Sequence, residues 1–203
     1  MVITYFGRSY FKLTLGDLTI AMNPPAKASK PARFGADIAL ITTNVADCND
    51  AETVTLGDKV PFVIDGQGSY ESKELLFTGA QSMAAIDGKD YINSVYAFEL
   101  DGIKIVTLGL LADAKTLTPE AKELAGTADM LFVAVGSDPS AAYKIATSFE
   151  PNMIIPMEYT KDTLAKFLKE AGQEKNETQD KATLKRRDLD GKQSYVLVLA
   201  SQE

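Results

Sequence analysis

Residues 36–50 read ADIALITTNVADCND, a short apolar run that passes directly into a polar loop. Ala39-Leu40-Ile41 has the composition of a buried strand. The strand signal stops at Thr42-Thr43-Asn44, and the polar stretch ends in Asp47-Cys48-Asn49-Asp50. Proteins that mix helices and strands place ligand-contacting side chains in such loops, at the ends of buried strands. The loop is therefore the first candidate for a functional site.

Composition limits what that site can do. The chain has 203 residues, 45% of them apolar, which predicts one domain spanning 1–203 with a sizeable core. It contains no histidine. Imidazole is the usual general base near neutral pH and the commonest nitrogen ligand of zinc, so Ser-His-Asp, Cys-His and histidine-containing zinc sites are all excluded. Chemistry based on carboxylates, Lys or Tyr stays open. The net charge of −7 argues against a nucleic-acid surface, and Lys185-Arg186-Arg187 is flanked by Asp188 and Asp190, as on a solvated face. A single cysteine, Cys48, rules out an internal disulfide and fits a reducing compartment. No run is long enough to span a membrane, and the first residues lack the pattern of a signal peptide, so a cytoplasmic protein is expected.

Outward from the loop, the two halves differ in period. Residues 2–6, 10–15 and 18–22 read as strands, with a tight turn at Gly16-Asp17. The run 24–35 is rich in Pro, Ala and Lys and reads as a surface loop. Further strands are predicted over 60–64, 75–78, 94–100 and 103–108, with turns at Asp65-Gly66 and Asp101-Gly102. The glycines at 66 and 68 do not make a phosphate loop, since no Gly-Lys-Ser/Thr and no helical pattern follow. From 117 onward the period is helical. Thr118, Asp138 and Thr160 are N-cap candidates for three helices, separated by apolar strands at 130–135 and 153–157. Residues 173–181 read as a polar loop and 195–199 as a closing strand.

These landmarks, in this order, resemble the metallo-β-lactamase superfamily, and within it a bacterial subgroup related to ascorbate-phosphate lactonases. Gly7, Ser9 and Phe11 fit the family's opening Gly-His-Ser and aromatic strand, with Arg8 in place of the histidine. Asn23 before Pro24 replaces an aspartate. In the family's metal loop, His-x-His-x-Asp-His after a strand ending in Thr, Thr42 and Asp47 match; Thr43, Val45 and Cys48 stand where the histidines would be. Gly68, Tyr70 and Glu71, and later Asn93 and Tyr96, fit subgroup motifs. The family's His-Leu-Gly-Asp reads Thr107-Leu108-Gly109-Leu110, so a leucine replaces the metal-bridging aspartate. The subgroup's Ile-Pro-Met-His-Tyr reads Ile155-Pro156-Met157-Glu158-Tyr159.

The resemblance implies a four-layer αβ/βα sandwich, two mixed sheets face to face with helices outside. The residues alone give only a single α/β domain. A doubly wound sheet is the rival, against which residues 1–110 read as hairpins without the long crossovers that parallel strands need. The implied site is vestigial: Arg8, Asn23, Thr43, Val45, Asp47, Cys48, Thr107, Leu110 and Glu158, with no catalytic residue and no cofactor. Arg8 is expected to pair with Asp47 or Glu158, supplying the charge of the lost metal. Glu158 is otherwise expected to bond to Tyr159 or a loop amide. The preferred function is a non-catalytic binding or interaction module for a small anion held by Arg8 or for a protein partner. The alternative is a divergent hydrolase of a phosphorylated sugar or lactone, with one zinc on Asp47, Cys48 and Glu158. A structural subunit of a homo-oligomer is the third reading.

Overall fold

Alternating apolar residues decide which face of each strand is buried, and here they do so on two sheets at once. The computed structural model of the protein describes residues 1–136 and 138–202. In chain order the elements are β1 (Val2–Tyr5), β2 (Phe11–Leu15), β3 (Leu18–Met22), β4 (Ile38–Leu40), β5 (Phe62–Ile64), β6 (Gly68–Ser72), β7 (Leu75–Ile86), β8 (Lys89–Leu100), β9 (Ile103–Thr107), α1 (Pro119–Ala125), β10 (Met130–Ala134), α2 (Pro139–Thr147), β11 (Met153–Met157), α3 (Lys161–Glu170), β12 (Thr178–Gln179), β13 (Lys181–Thr183), β14 (Tyr195–Val196) and β15 (Val198–Leu199). One sheet has six strands in the order β13-β1-β2-β3-β4-β5, and the other has seven, β14-β11-β10-β9-β8-β7-β6.

The main core lies between these sheets. Ile3, Phe11, Leu13, Ile20, Ile38 and Leu40 from the first meet Phe77, Phe98, Ile105, Phe132 and Ile155 from the second. The intervening residues of the second sheet, Val106, Leu131, Val133 and Ile154, face outward and are covered by the helices through Ala121, Ala142, Ala146 and Phe167. On the outer side of the first sheet, Ala21 and Ala39 pack under Tyr10, Val54, Phe6 and Phe34. This fourth layer is built from loops and short 3₁₀ turns (Lys27–Ser29 and Ala51–Val54), not from a full α-helix. The sandwich is therefore the metallo-β-lactamase arrangement that the family resemblance implies.

Two features differ from the sequence reading. First, β3, β4 and β5 run parallel, so residues 23–37 and 41–61, within which 24–35 and 42–50 read as plain loops, are the crossovers that parallel pairing requires. Second, residues 75–100 form one long hairpin instead of two short strands. β7 and β8 pair from Phe77↔Phe98 to Ile86↔Lys89. The hairpin turns at Asp87-Gly88, with φ of 52° and 72°, the positive values a tight two-residue turn needs. At the chain's other end, β13 adds to the edge of β1, and the predicted strand 195–199 divides into β14 and β15, the latter paired with β12. Pro156 is tolerated within β11 because β14 pairs only with Met153 and Ile154, so the ladder has ended before the missing N–H is needed.

Candidate functional site

The ends of β4, β9, β10 and β11, all C-terminal ends of parallel strands, open toward one region together with the Gly7-Arg8-Ser9 turn. Arg8 and Glu158 are tied through their backbones. The Arg8 carbonyl accepts from the Glu158 N–H at 2.9 Å and from the Tyr5 hydroxyl at 2.8 Å. Both residues are left-handed, with φ of 53° each, and Asn23 is left-handed at 50°. Non-glycine residues hold this conformation only where their surroundings fix it, and such positions concentrate at ligand sites.

The side chains of Arg8, Asp47 and Glu158 form a small ionic cluster. Arg8 Nη1 lies 2.8 Å from Asp47 Oδ2, and Arg8 Nε lies 3.6 Å from Glu158 Oε2. Side-chain exposure is 60% for Arg8, 46% for Asp47 and 20% for Glu158, so the pair to Asp47 is largely in water and Glu158 is the interior member. Burial pushes the Glu158 carboxyl above the usual range, opposed by the Arg8 charge and the nearby Ser9 hydroxyl. Its Oε1 is buried and has no hydrogen-bond partner. Glu158 does not bond to Tyr159, whose hydroxyl instead donates to the Leu199 carbonyl at 2.9 Å.

Beneath this cluster a closed polar network fills the space between the sheets. Asn93 of β8 is its centre. Its Oδ1 accepts from Thr43 Oγ1 at 2.8 Å and from the Leu110 N–H at 2.9 Å. Its Nδ2 donates to Ser82 Oγ at 2.6 Å and to the Leu108 carbonyl at 2.9 Å. All four bonds of the amide are made, in an environment where an unmade one is costly. Asn23 closes the network on the first sheet, its Oδ1 accepting from the Thr42 N–H at 2.8 Å and Thr42 Oγ1 at 3.0 Å. Thr107 Oγ1 accepts from the Gly109 N–H at 3.1 Å. Gly109 is left-handed at 61°, and a Cβ there would run into the Asn93 amide and come within 2.8 Å of Thr42 Cβ. Only glycine fits.

Cys48 is fully buried, its Sγ 3.5 Å from Ser9 Oγ. Burial pushes the thiol up to about 12, with the Ser9 contact opposing and the Glu158 and Asp47 charges adding. In the metal-free chain it is a protonated thiol at neutral pH. Among the described residues no three of Cys, Asp and Glu converge as a metal shell. As they are arranged in the structure, the described residues do not fit the zinc that the family resemblance implies.

Above the network lies a cavity of about 480 Å³. Arg8, Val45, Asp47, Leu110 and Glu158 all line it, whereas Thr43 and Cys48 are buried below. Five of the nine residues identified by sequence thus line the cavity, while Asn23, Thr43, Cys48 and Thr107 are buried outside its lining. The structure adds Ile86 and Asp87 from the β7–β8 turn, Val135 and Asp138 after β10, and Ile145 of α2. The Asp87-Gly88 pair is the one sequence signal that could have drawn attention to the hairpin tip. Asp138 is legible as the cap of α2, where its Oδ1 accepts from the Ala141 N–H at 3.0 Å, but a cap signal does not say what it faces.

Residues 2–158 match the family described as a β-lactamase superfamily domain. No curated protein matches the chain. Among solved structures, a Thermotoga maritima protein assigned to the Zn-dependent hydrolases of the metallo-β-lactamase superfamily is 26% identical, with a TM-score of 0.73 over 98% of this chain and 97% of that one. A Parabacteroides distasonis protein assigned as a metal-dependent hydrolase has 18% identity and a TM-score of 0.64, over 99% and 93% of the two chains. An isothiocyanate hydrolase from Delia radicum gut bacteria has 12% identity and a TM-score of 0.64, over 100% and 98%; at such identities the latter two show a shared fold. With the family match covering most of its length and the same sandwich in its structural neighbours, the chain belongs to the metallo-β-lactamase superfamily.

Proposed function

We propose that this chain is a non-catalytic member of its superfamily, a binding module whose cavity takes a small ligand without a metal. One observation carries the reading: the positions that the family pattern assigns to metal ligands hold side chains that are apolar or already engaged. Val45 and Leu110 are apolar wall residues, Thr43 Oγ1 donates to Asn93, Cys48 is a buried thiol, and Glu158 faces Arg8. The alternative, hydrolysis of a phosphorylated sugar or lactone on a reduced metal site, requires a donor set that the described residues do not assemble. Arg8 does not favour the small-anion ligand expected from sequence, because two carboxylates share its guanidinium. No helix is long and apolar enough to cross a membrane, and the lone cysteine fits the reducing bacterial cytoplasm as its setting.

Elemental analysis of protein expressed in medium supplemented with zinc, iron and manganese tests the proposal. No stoichiometric metal is expected, and no turnover of phosphorylated sugars or lactones. Close to one metal per chain, lost on Asp47→Ala or Glu158→Ala, overturns it.

A further inference from the structure

The cavity over the Asn93 network has the size of a small-molecule site, and its lining discriminates between ligand classes. Its charged groups are one cation, Arg8, and four carboxylates, Asp47, Asp87, Asp138 and Glu158. Arg8 is held between Asp47 and Glu158 at 2.8 and 3.6 Å. The remaining acidic groups come from separate elements, Asp87 from the β7–β8 turn and Asp138 from the N-cap of α2. Between these groups the wall is apolar: Ile86, Leu110, Val135 and Ile145. An anion entering the cavity would meet an excess of carboxylates, with Arg8, the one lining cation among the described residues, already paired. A cation with an apolar body would meet complementary charge and apolar surface together.

Glu158 points the same way through a different observation. Its Oε1 is a buried acceptor that makes no hydrogen bond among the described residues, with the Ser9 hydroxyl beside the carboxylate, and an unpaired buried acceptor costs free energy that an N–H donor recovers. Glu158 lines the cavity with its side chain 20% exposed, so an N–H donor that enters the cavity can bond to its carboxylate.

Resting on the reading of this cavity as a ligand site, we propose that its ligand is an organic cation, an ammonium group carried on a short apolar body. The ammonium group sits among Glu158, Asp47, Asp87 and Asp138, and the apolar body lies on Leu110, Val135 and Ile145. The site is neither a metal site nor an anion site, and the Arg8 pair sets its acidic end by holding Asp47 and Glu158 in place.

Three probes with the same apolar body separate the class of ligand from the existence of a site: hexylammonium, hexanoate and hexanol, titrated calorimetrically into the intact protein at low ionic strength. Hexylammonium is expected to bind about tenfold or more tightly than hexanol, a difference of about 1.4 kcal/mol, and hexanoate more weakly than either. Added salt weakens the hexylammonium binding and leaves hexanol unchanged. Glu158→Gln and Asp87→Asn, each checked for native circular dichroism, both lower hexylammonium affinity several-fold without altering that of hexanol. The Asp87 variant serves where the Glu158 variant does not fold. Preferential binding of hexanoate or hexanol overturns the cation assignment and leaves the cavity as a ligand site. Failure of all three probes to bind overturns both the assignment and the reading on which it rests.

Discussion

Arg8, Asp47 and Glu158 show how the same ion cluster has two energetic characters. The Arg8–Asp47 contact is short, but both side chains are about half in water, and exposed pairs contribute about 0–1 kcal/mol. Arg8→Ala is therefore expected to shift the urea midpoint by an amount worth no more than about 1 kcal/mol. A loss of about 3–5 kcal/mol would mean that the pair to the interior Glu158 carries the stabilisation. Glu158 behaves differently because burial, not pairing, dominates its ionisation. Its folded pKa lies above the value of 4.5 for a free glutamate, so the native state holds the proton more tightly than the unfolded chain. The stability this contributes is complete below that value and is lost as pH rises through the folded pKa. Glu158→Gln removes the titration. Its stability should fall less than wild type as pH rises from 4.5 toward neutrality, measured by denaturant unfolding across that range. An unchanged pH profile would show that Glu158 ionises as a surface carboxylate. Arg8→Ala removes the cation opposing burial, so a carbon-13 titration of the Glu158 carboxyl should move upward.

At the scale of elements, the polar network matters because it joins the two sheets. Asn93 sits on β8 and bonds to Thr43 just after β4, to Ser82 on β7 and to the loop after β9. Asn93→Ala strands several buried groups at once and is expected to cost about 3–5 kcal/mol. Gly109→Ala forces a Cβ toward the Asn93 amide at a left-handed position and should cost about 2 kcal/mol or more. Because the clash is partly with Asn93 itself, the double variant should be less destabilised than the sum, by about 1 kcal/mol. Strict additivity would show that Gly109 is constrained by Thr42 and its own backbone alone. Asn93 and Gly109 were legible in sequence as motif positions, but not as neighbours. The hairpin that carries Asn93 was only half legible. Residues 79–85 are Gly, Ala, Gln, Ser, Met, Ala and Ala, a stretch with little intrinsic strand preference. Pairing with β8 along its whole length makes it a strand. Helices α1, α2 and α3 were legible because Thr118, Asp138 and Thr160 each cap their helix through a side-chain oxygen, a local signal.

For the molecule as a whole, the legible part is the scaffold and the illegible part is what closes over it. Buried alternation in β1 and β2 and the continuous apolar runs of β10 and β11 marked the sheets, and the family pattern supplied their pairing into a sandwich. The cavity's far wall was hidden because Asp87, Asp138 and Ile145 are far from the loop at 42–50 in sequence and are brought to it only by the hairpin and by α2. The scaffold's independence from its lost chemistry can be tested by giving the chemistry back. Of the positions that the family assigns to ligands, Val45, Leu110 and Glu158 line the cavity beside Asp47, so larger or polar side chains there have space. Thr43 and Cys48 are buried and packed, where histidines would overfill the core by about 1–3 kcal/mol each. Arg8 places a competing cation on Asp47. The variant combining Arg8→His, Val45→His, Leu110→Asp and Glu158→His therefore presents five nitrogen or carboxylate side chains to one cavity without disturbing the Asn93 network. Zinc requires ligands at about 2.0–2.2 Å in near-tetrahedral order, so only a cavity whose walls already have the right shape will respond. The expected result is a zinc-dependent rise in melting temperature for the variant and none for the wild-type chain, since a ligand bound only by the folded state stabilises it. A folded variant with no response to zinc would mean that this cavity is not where the family's metals lie, and that Arg8, Asp47 and Glu158 belong to a site of different descent.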